Sequence, residues 1–69
     1  MNPRRLSPRQ EQIVELVVAH RMSYTEIAVC LGISVHTVRS HVGEIGRKLG
    51  GGSPQKAMAK HYLHPQEAA

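Results

Sequence analysis

The stretch HTVRSHVGEIGRKLG, residues 36–50, presents side chains that could form hydrogen bonds with a nucleic acid. On a helix with 100° per residue, the face opposite Val38 consists of His36, Ser40, Gly43 and Arg47. Arg39 and Glu44 flank this face, and Thr37 and Lys48 lie along one shoulder. Groups of these types can donate to phosphate oxygens and to the edges of bases. An ordinary solvated helix face has a similar composition. The surrounding elements must therefore decide whether this face binds a nucleic acid or is only solvated.

The overall charge is compatible with a nucleic-acid partner but does not select it. Nine Lys and Arg residues against five Asp and Glu residues give a formal net charge of +4. An excess of positive charge favours nucleic acid, an anionic membrane surface or an acidic partner. The chain has two tyrosines and no Phe or Trp, which argues against proteins that stack single-stranded bases on exposed rings.

Serine residues mark the start of each predicted helix. Ser7–Gln10 and Ser23–Glu26 have the pattern of a capping box, Ser34 precedes a third apolar stripe, and Ser53-Pro54 repeats the combination of a serine cap and a proline. Together with the apolar periodicity, these signals predict an all-α fold of four short helices, at about 8–20, 24–31, 35–49 and 54–63.

The second and third predicted helices are joined only by Gly32 and Ile33. Gly32 suits a left-handed helix cap, and the small Ala28 allows the two helices to approach closely. A short helix, a tight glycine turn and a longer helix with a polar outer face form a helix-turn-helix. This geometry leaves the longer helix free to lie in the major groove of DNA.

Two glycines lie inside the predicted third helix, and each costs about 1 kcal/mol relative to alanine. Leu49 nevertheless stays in phase with Val38, which predicts that the helix continues through Gly43 and Gly46. Gly43 faces outward, where it either lets DNA approach the backbone or marks a lost base contact. For Gly46 we predict no role in DNA binding.

The 69 residues are expected to form one domain, with a core over about 6–63 and frayed termini that include the tail PQEAA. Cys30 is the only cysteine, so no internal disulfide is possible. No apolar run is long enough for a signal peptide or a membrane span. We therefore expect a soluble, cytoplasmic protein that is associated with the nucleoid.

The histidines and the cysteine do not predict catalysis or metal binding. His61 and His64 could share a helix face, but four zinc ligands at a recognisable spacing are missing. We predict no enzyme, no metal site and no cofactor. His41, at the edge of the Val38 stripe, is expected to be a half-buried, hydrogen-bonded packing residue, and His36 is the better candidate for a DNA contact.

Three segments, LSPRQEQIVELV, SYTEIAVCLGIS and HTVRSHVGEIGRKLG, resemble the LuxR-type (GerE-like) helix-turn-helix domain of bacterial transcription regulators. The similarity covers roughly Leu6 to Leu63. Its most specific marks are Glu26-Ile27-Ala28, Leu31-Gly32-Ile33-Ser34, and Thr37-Val38 with His41, Ile45, Lys48 and Leu49. The chain departs from the family at Arg21, where a glycine usually ends the first helix, and at Gly43, where a base-contacting side chain is common.

This resemblance implies a third helix that reads the major groove. It assigns base contacts to Arg39, Ser40 and the position of Gly43, with His36 as a further candidate from its place on the outer face. It assigns phosphate contacts to Thr25, Thr37, Arg47 and Lys48. It also implies a fourth helix that often dimerises, for which the candidates are Ala57, Met58, His61 and Tyr62. The alternative for that helix is packing against the first helix.

Two hypotheses of function follow from the sequence. The first is a bacterial or phage regulator that binds double-stranded DNA in a sequence-specific manner, as a dimer on a two-fold site. The second is a protein-interaction module with the same fold, which antagonises RNA polymerase, a sigma factor or a full-length regulator. Sequence enrichment from a random duplex pool distinguishes the first from the second.

Overall fold

A computed structural model of the chain describes residues 5–50 and 52–63. These residues form four α-helices and no strands: α1 (Pro8–Val18), α2 (Tyr24–Leu31), α3 (Val35–Leu49) and α4 (Pro54–Leu63). The predicted all-α fold is thereby confirmed. The tail PQEAA and His64 lie outside the described residues. Within those residues no helix combines the length and the apolar character needed to cross a membrane.

Each helix begins at the serine that the sequence predicts. The Ser7 and Ser23 hydroxyls accept the backbone N–H groups of Gln10 and Glu26, at 3.2 and 3.1 Å, and both reciprocal bonds of the two capping boxes are present. Ser34 and Ser53 cap α3 and α4 through the N–H groups three residues on, at 3.0 and 3.3 Å. These bonds satisfy donors that a helix start otherwise leaves without a partner.

The second capping box also affects a carboxyl group. The backbone N–H of Ser23 donates to Glu26 Oε1 at 2.8 Å. This hydrogen bond is the main reason that the pKa of Glu26 lies below its ordinary value of 4.5. The hydrogen bond therefore favours the ionised form of Glu26, which completes the capping box.

The end of α1 differs from the prediction, because the helix stops at Val18 and not at residue 20. Arg21 takes a left-handed conformation with φ of +53°, and the Met22 N–H turns back to the Leu16 carbonyl at 3.1 Å. Arg21 is therefore strained, at a position better suited to glycine. His20, the last residue of the predicted helix, lies beyond α1 and is exposed.

Arg21→Gly is expected to raise the free energy of unfolding by roughly 0.5–1 kcal/mol. The gain is the strain of a left-handed arginine, reduced by the larger entropy of glycine in the unfolded chain. Urea unfolding of the purified variant measures it. Arg21→Ala is the control, because it removes the charge and keeps a Cβ atom. An equal gain in both variants would show that the charge, and not the backbone, is unfavourable.

The core lies where all four helices meet, and α3 packs against each of the other three. Six side chains are less than 2% exposed: Ile13, Val14, Ile27, Val38, Ile45 and Met58. The predicted α3 stripe is confirmed, since Val38, Val42 and Ile45 are buried and Leu49 is half-buried. On α1 the buried positions are Gln10, Ile13 and Val14.

The α3 helix runs unbroken through both glycines, as predicted. Beyond its chain neighbours and the backbone of α3, a Cβ atom added at Gly43 would have no atom within 4 Å. One added at Gly46 would lie 3.3 Å from the Pro54 side chain, at the start of α4. Gly46 therefore has a structural role that the sequence did not reveal: it lets α4 begin close against α3.

Alanine at the two glycines is expected to have different effects. Gly43→Ala should raise the free energy of unfolding by about 1 kcal/mol, since it gains helix propensity and meets open space. Gly46→Ala gains the same propensity but presses on Pro54, so we expect it to be less stable than Gly43→Ala by at least about 0.5 kcal/mol. Thermal unfolding of the two variants, each the control of the other, tests this. Equal stabilisation would contradict the close packing at Gly46.

Candidate nucleic-acid interface

The face of α3 that lies opposite the core is open to solvent. His36, Arg39, Ser40 and Arg47 are all exposed. On the other side of the same helix, Val38 and Ile45 are completely buried. A polar strip therefore runs along α3, with hydrogen-bond donors on both sides of a gap at Gly43.

The turn before α3 has the geometry of a helix-turn-helix. Gly32 adopts φ of 69° and ψ of 34°, and the Ile33 N–H donates to the Ala28 carbonyl at 3.0 Å. Ile27 and Ala28 of α2 are buried against the core. The turn is thus held by α2, and α3 leaves it with its outer face uncovered by the other described elements.

The two threonines with predicted phosphate contacts are exposed on α2 and at the start of α3. The Thr37 hydroxyl already lies 2.9 Å from the Ser34 hydroxyl, and the same Ser34 oxygen accepts the Thr37 N–H. These bonds fix the rotamer of Thr37 within the cap. No such bond to the Thr25 side chain occurs among the described residues.

Lys48 is placed differently from the other predicted phosphate contacts. It is half-buried, and its Nζ donates to Gln10 Oε1 at 2.9 Å and lies 3.5 Å from the Arg5 carbonyl. Gln10 also donates from Nε2 to Glu44 Oε2 at 3.2 Å. We call these contacts of one carboxamide with Lys48 and Glu44 the Gln10 bridge. The sequence showed Gln10 only as part of a capping box, and the bridge depends on tertiary packing across more than 30 residues.

The four residues proposed for a dimer interface do not lie on one surface. Met58 is completely buried and Ala57 is 8% exposed, because both fill the core between α4 and the rest of the domain. This placement corrects their assignment to an outer surface and agrees with the alternative of packing within the domain. Tyr62 is exposed, and the half-buried His61 bonds through Nε2 to Glu11 Oε1 of α1 at 2.6 Å.

His41 and Cys30 lie apart from the polar strip on α3, on the side of that helix and on α2. His41 is half-buried as expected, and its buried Nδ1 has no hydrogen-bond partner among the described residues. Cys30 is exposed on α2. Within residues 5–50 and 52–63, no three His, Cys, Asp or Glu side chains come together as metal ligands would.

Residues 4–50 match the model of the protein family described as Sigma-70, region 4. The matched segment is more than half of the chain, contains α1, α2 and α3, and ends before α4. No match was found among curated proteins or among solved structures. The family is one of helix-turn-helix DNA-binding domains, so the helix-turn-helix prediction is confirmed, while the LuxR type stays a prediction.

Proposed function

Because the chain belongs to the sigma-70 region 4 family of helix-turn-helix domains, we propose that it is a transcriptional regulator that reads double-stranded DNA with α3. The observation that carries the proposal is the uncovered polar strip on α3, opposite the completely buried Val38 and Ile45. The family supports DNA binding and a role connected with transcription. Sequence specificity is the further step that we propose.

Within this proposal, Arg39 and Ser40 contact base edges in the major groove. Arginine can donate two hydrogen bonds to a guanine, and serine can bond to several bases. His36 lies one turn earlier on the same exposed face, and the open space at Gly43 lets DNA approach the helix backbone. Arg47 and the two threonines, Thr25 and Thr37, contact phosphates and set the register of the helix.

We further propose that two copies bind a two-fold site. Since Ala57 and Met58 are buried, the contact between copies has to use the outer side of α4, where Tyr62 and Leu63 are 42% and 66% exposed. Half-sites separated by one helical turn, about 34–36 Å, would then appear in the bound DNA. A single uninterrupted site would instead indicate binding as a monomer.

A protein-interaction function is the second candidate, and the family favours it because the match is to a region of a sigma factor. In that case the domain antagonises RNA polymerase, a sigma factor or a full-length regulator. The outer face of α3 then meets protein, and affinity for duplex DNA is weak and independent of sequence.

Selection from a random duplex pool at low and moderate salt tests the proposed function. We expect a defined sequence motif to be enriched at both salt concentrations, with an affinity that falls as salt rises. Lys60→Ala, which removes an exposed positive charge from α4, serves as the control and should select the same motif. Binding without enrichment, lost at moderate salt, would reject sequence-specific reading and support the second candidate.

A further inference from the structure

Gln10 is the one buried polar residue among the described residues, with 3% of its surface exposed. Its Oε1 accepts from the Ser7 N–H at 3.0 Å and from Lys48 Nζ at 2.9 Å, and its Nε2 donates to Glu44 Oε2 at 3.2 Å. A buried carboxamide with both ends bonded rigidifies the elements that it joins, since a lost bond would leave a desolvated polar group.

The partners determine how this amide is oriented. Two donors, from Ser7 and Lys48, converge on one side of the group, while a carboxylate acceptor lies on the other side. A flipped amide would direct its NH2 group at two donors and its oxygen at a carboxylate, which loses all three bonds. The Gln10 bridge can therefore form in only one orientation.

The bridge contacts α3 at two positions that are four residues apart. Glu44 and Lys48 are neighbours on one side of the helix, because residues i and i+4 lie one above the other. A single group on α1 that bonds both residues fixes the rotation of α3 about its own axis. That rotation decides where the polar strip with Arg39 and Ser40 points.

The bridge also engages the Lys48 ammonium inside the domain. One of its donors is bonded to Gln10, and the Arg5 carbonyl lies 3.5 Å from Nζ. Both acceptors belong to Gln10 of α1 and to the residues before it, so they hold Nζ on that side of α3, and reaching a phosphate beyond the outer face of the helix requires the loss of these bonds. Arg47, the neighbouring residue, is exposed and has no such bond among the described residues.

We propose that Gln10 is a positioning residue for DNA reading: it fixes the rotation of α3 and retains the Lys48 ammonium, so that Arg47 and not Lys48 contacts phosphate. This inference rests on the proposed function and replaces the expectation that Lys48 is a phosphate contact. In this proposal Lys48 contributes to DNA reading by its bond to Gln10 and not by a contact with phosphate.

The salt dependence of DNA binding tests the retention of Lys48, since each neutralised phosphate contributes about 0.9 to the slope of log K against log salt. Arg47→Ala should reduce the slope by about 0.9, and Lys48→Met should leave it unchanged.

In Gln10→Met the methionine is similar in size to glutamine but does not bond to Lys48, which frees the ammonium. We therefore expect the slope to rise by about 0.9 and the preference for the selected sequence to fall roughly tenfold. The double variant Gln10→Met with Lys48→Met should return to the original slope. A fall of about 0.9 for Lys48→Met alone would overturn the proposal.

A second variant separates positioning from simple loss of stability. Gln10→Glu keeps an acceptor for Lys48 but replaces the donor to Glu44 with a like charge. We expect its slope to stay unchanged while its sequence preference falls. An unaltered preference in Gln10→Glu would overturn the claim that the bridge sets the rotation of α3.

Unfolding in urea tests the bridge without DNA. Each of the variants Gln10→Met and Lys48→Met should reduce the folding equilibrium constant by some factor. We expect the double variant to reduce it by less than the product of these two factors, because both substitutions remove the same bond. Independent effects would show that the bridge is absent in solution. If the unaltered chain fails to bind any duplex, the proposed function and the role of Gln10 in reading fail together, while the unfolding data still decide whether the bridge exists.

Discussion

Arg39→Ala is expected to weaken binding to the selected duplex by roughly 5- to 150-fold, about 1–3 kcal/mol, and to relax the preference at one base pair. Arg39 is exposed on the outer side of α3, so its loss should leave folding unchanged. The affinity loss has two parts, the paired hydrogen bonds to a base and one positive charge near the phosphates. Fluorescence anisotropy with the selected duplex, and with duplexes altered at each base pair in turn, measures both.

Arg39→Lys separates the two parts. Lysine keeps the charge but lacks the planar fork that makes two parallel hydrogen bonds. We expect Arg39→Lys to preserve the salt dependence and to lose most of the preference at that base pair. If Arg39→Ala retains both the affinity and the sequence preference of the unaltered chain, then α3 does not read DNA through this residue.

Met58→Ala is expected to lower the free energy of unfolding by about 2–5 kcal/mol. Met58 is completely buried, and its removal leaves a cavity where α4 contributes to the core. A domain of this size is expected to have only about 5 kcal/mol of stability in total. A large share of the Met58→Ala molecules should therefore be unfolded at 37 °C, which circular dichroism during heating would show.

Tyr62→Ala is the matched control, because it truncates a large side chain one turn later on the same helix. Tyr62 is 42% exposed, so we expect a change of no more than about 0.5 kcal/mol. This pair also tests the role of α4, which lies outside the matched segment 4–50. If Met58→Ala unfolds at the same temperature as the unaltered chain, then α1, α2 and α3 are stable without the contact that α4 makes.

The helix starts were predictable from the sequence because they depend on residues that are close together in the chain. Ser7, Ser23, Ser34 and Ser53 each bond to a group three residues on, so a short pattern is enough to identify the cap. The end of α1 was not predictable in this way. It depends on the left-handed backbone at Arg21 and on the return of the chain to the Leu16 carbonyl.

The orientation of α3 was predictable, but the bonds of its flanking side chains were not. The 3.6-residue period places Val38 and Ile45 inside and Arg39 outside, and the structure agrees. Periodicity also assigned Lys48 to an open shoulder, but Gln10 lies against that shoulder. Packing of distant segments decides such contacts, and an amphipathic pattern contains no signal for them.

The fourth helix shows the same difference. The sequence correctly predicts its serine cap. Ala57 and Met58, which are predicted at a dimer surface, are buried in the domain. Small and apolar side chains suit both a core and an interface between subunits, so composition alone does not separate the two. What decides is which side of α4 faces the other helices, and the short apolar pattern of ten residues did not show it.

The central claim is that the outer face of α3 reads duplex DNA. A titration of isotope-labelled chain with the selected duplex, followed through its backbone amide signals by NMR, tests the claim most directly. We predict that the largest changes lie in α3 between residues 36 and 47 and at the start of α2, while the amides of α1 around Glu11 change little. Large changes confined to α1 and α4, with α3 unaffected at saturating DNA, would contradict the account.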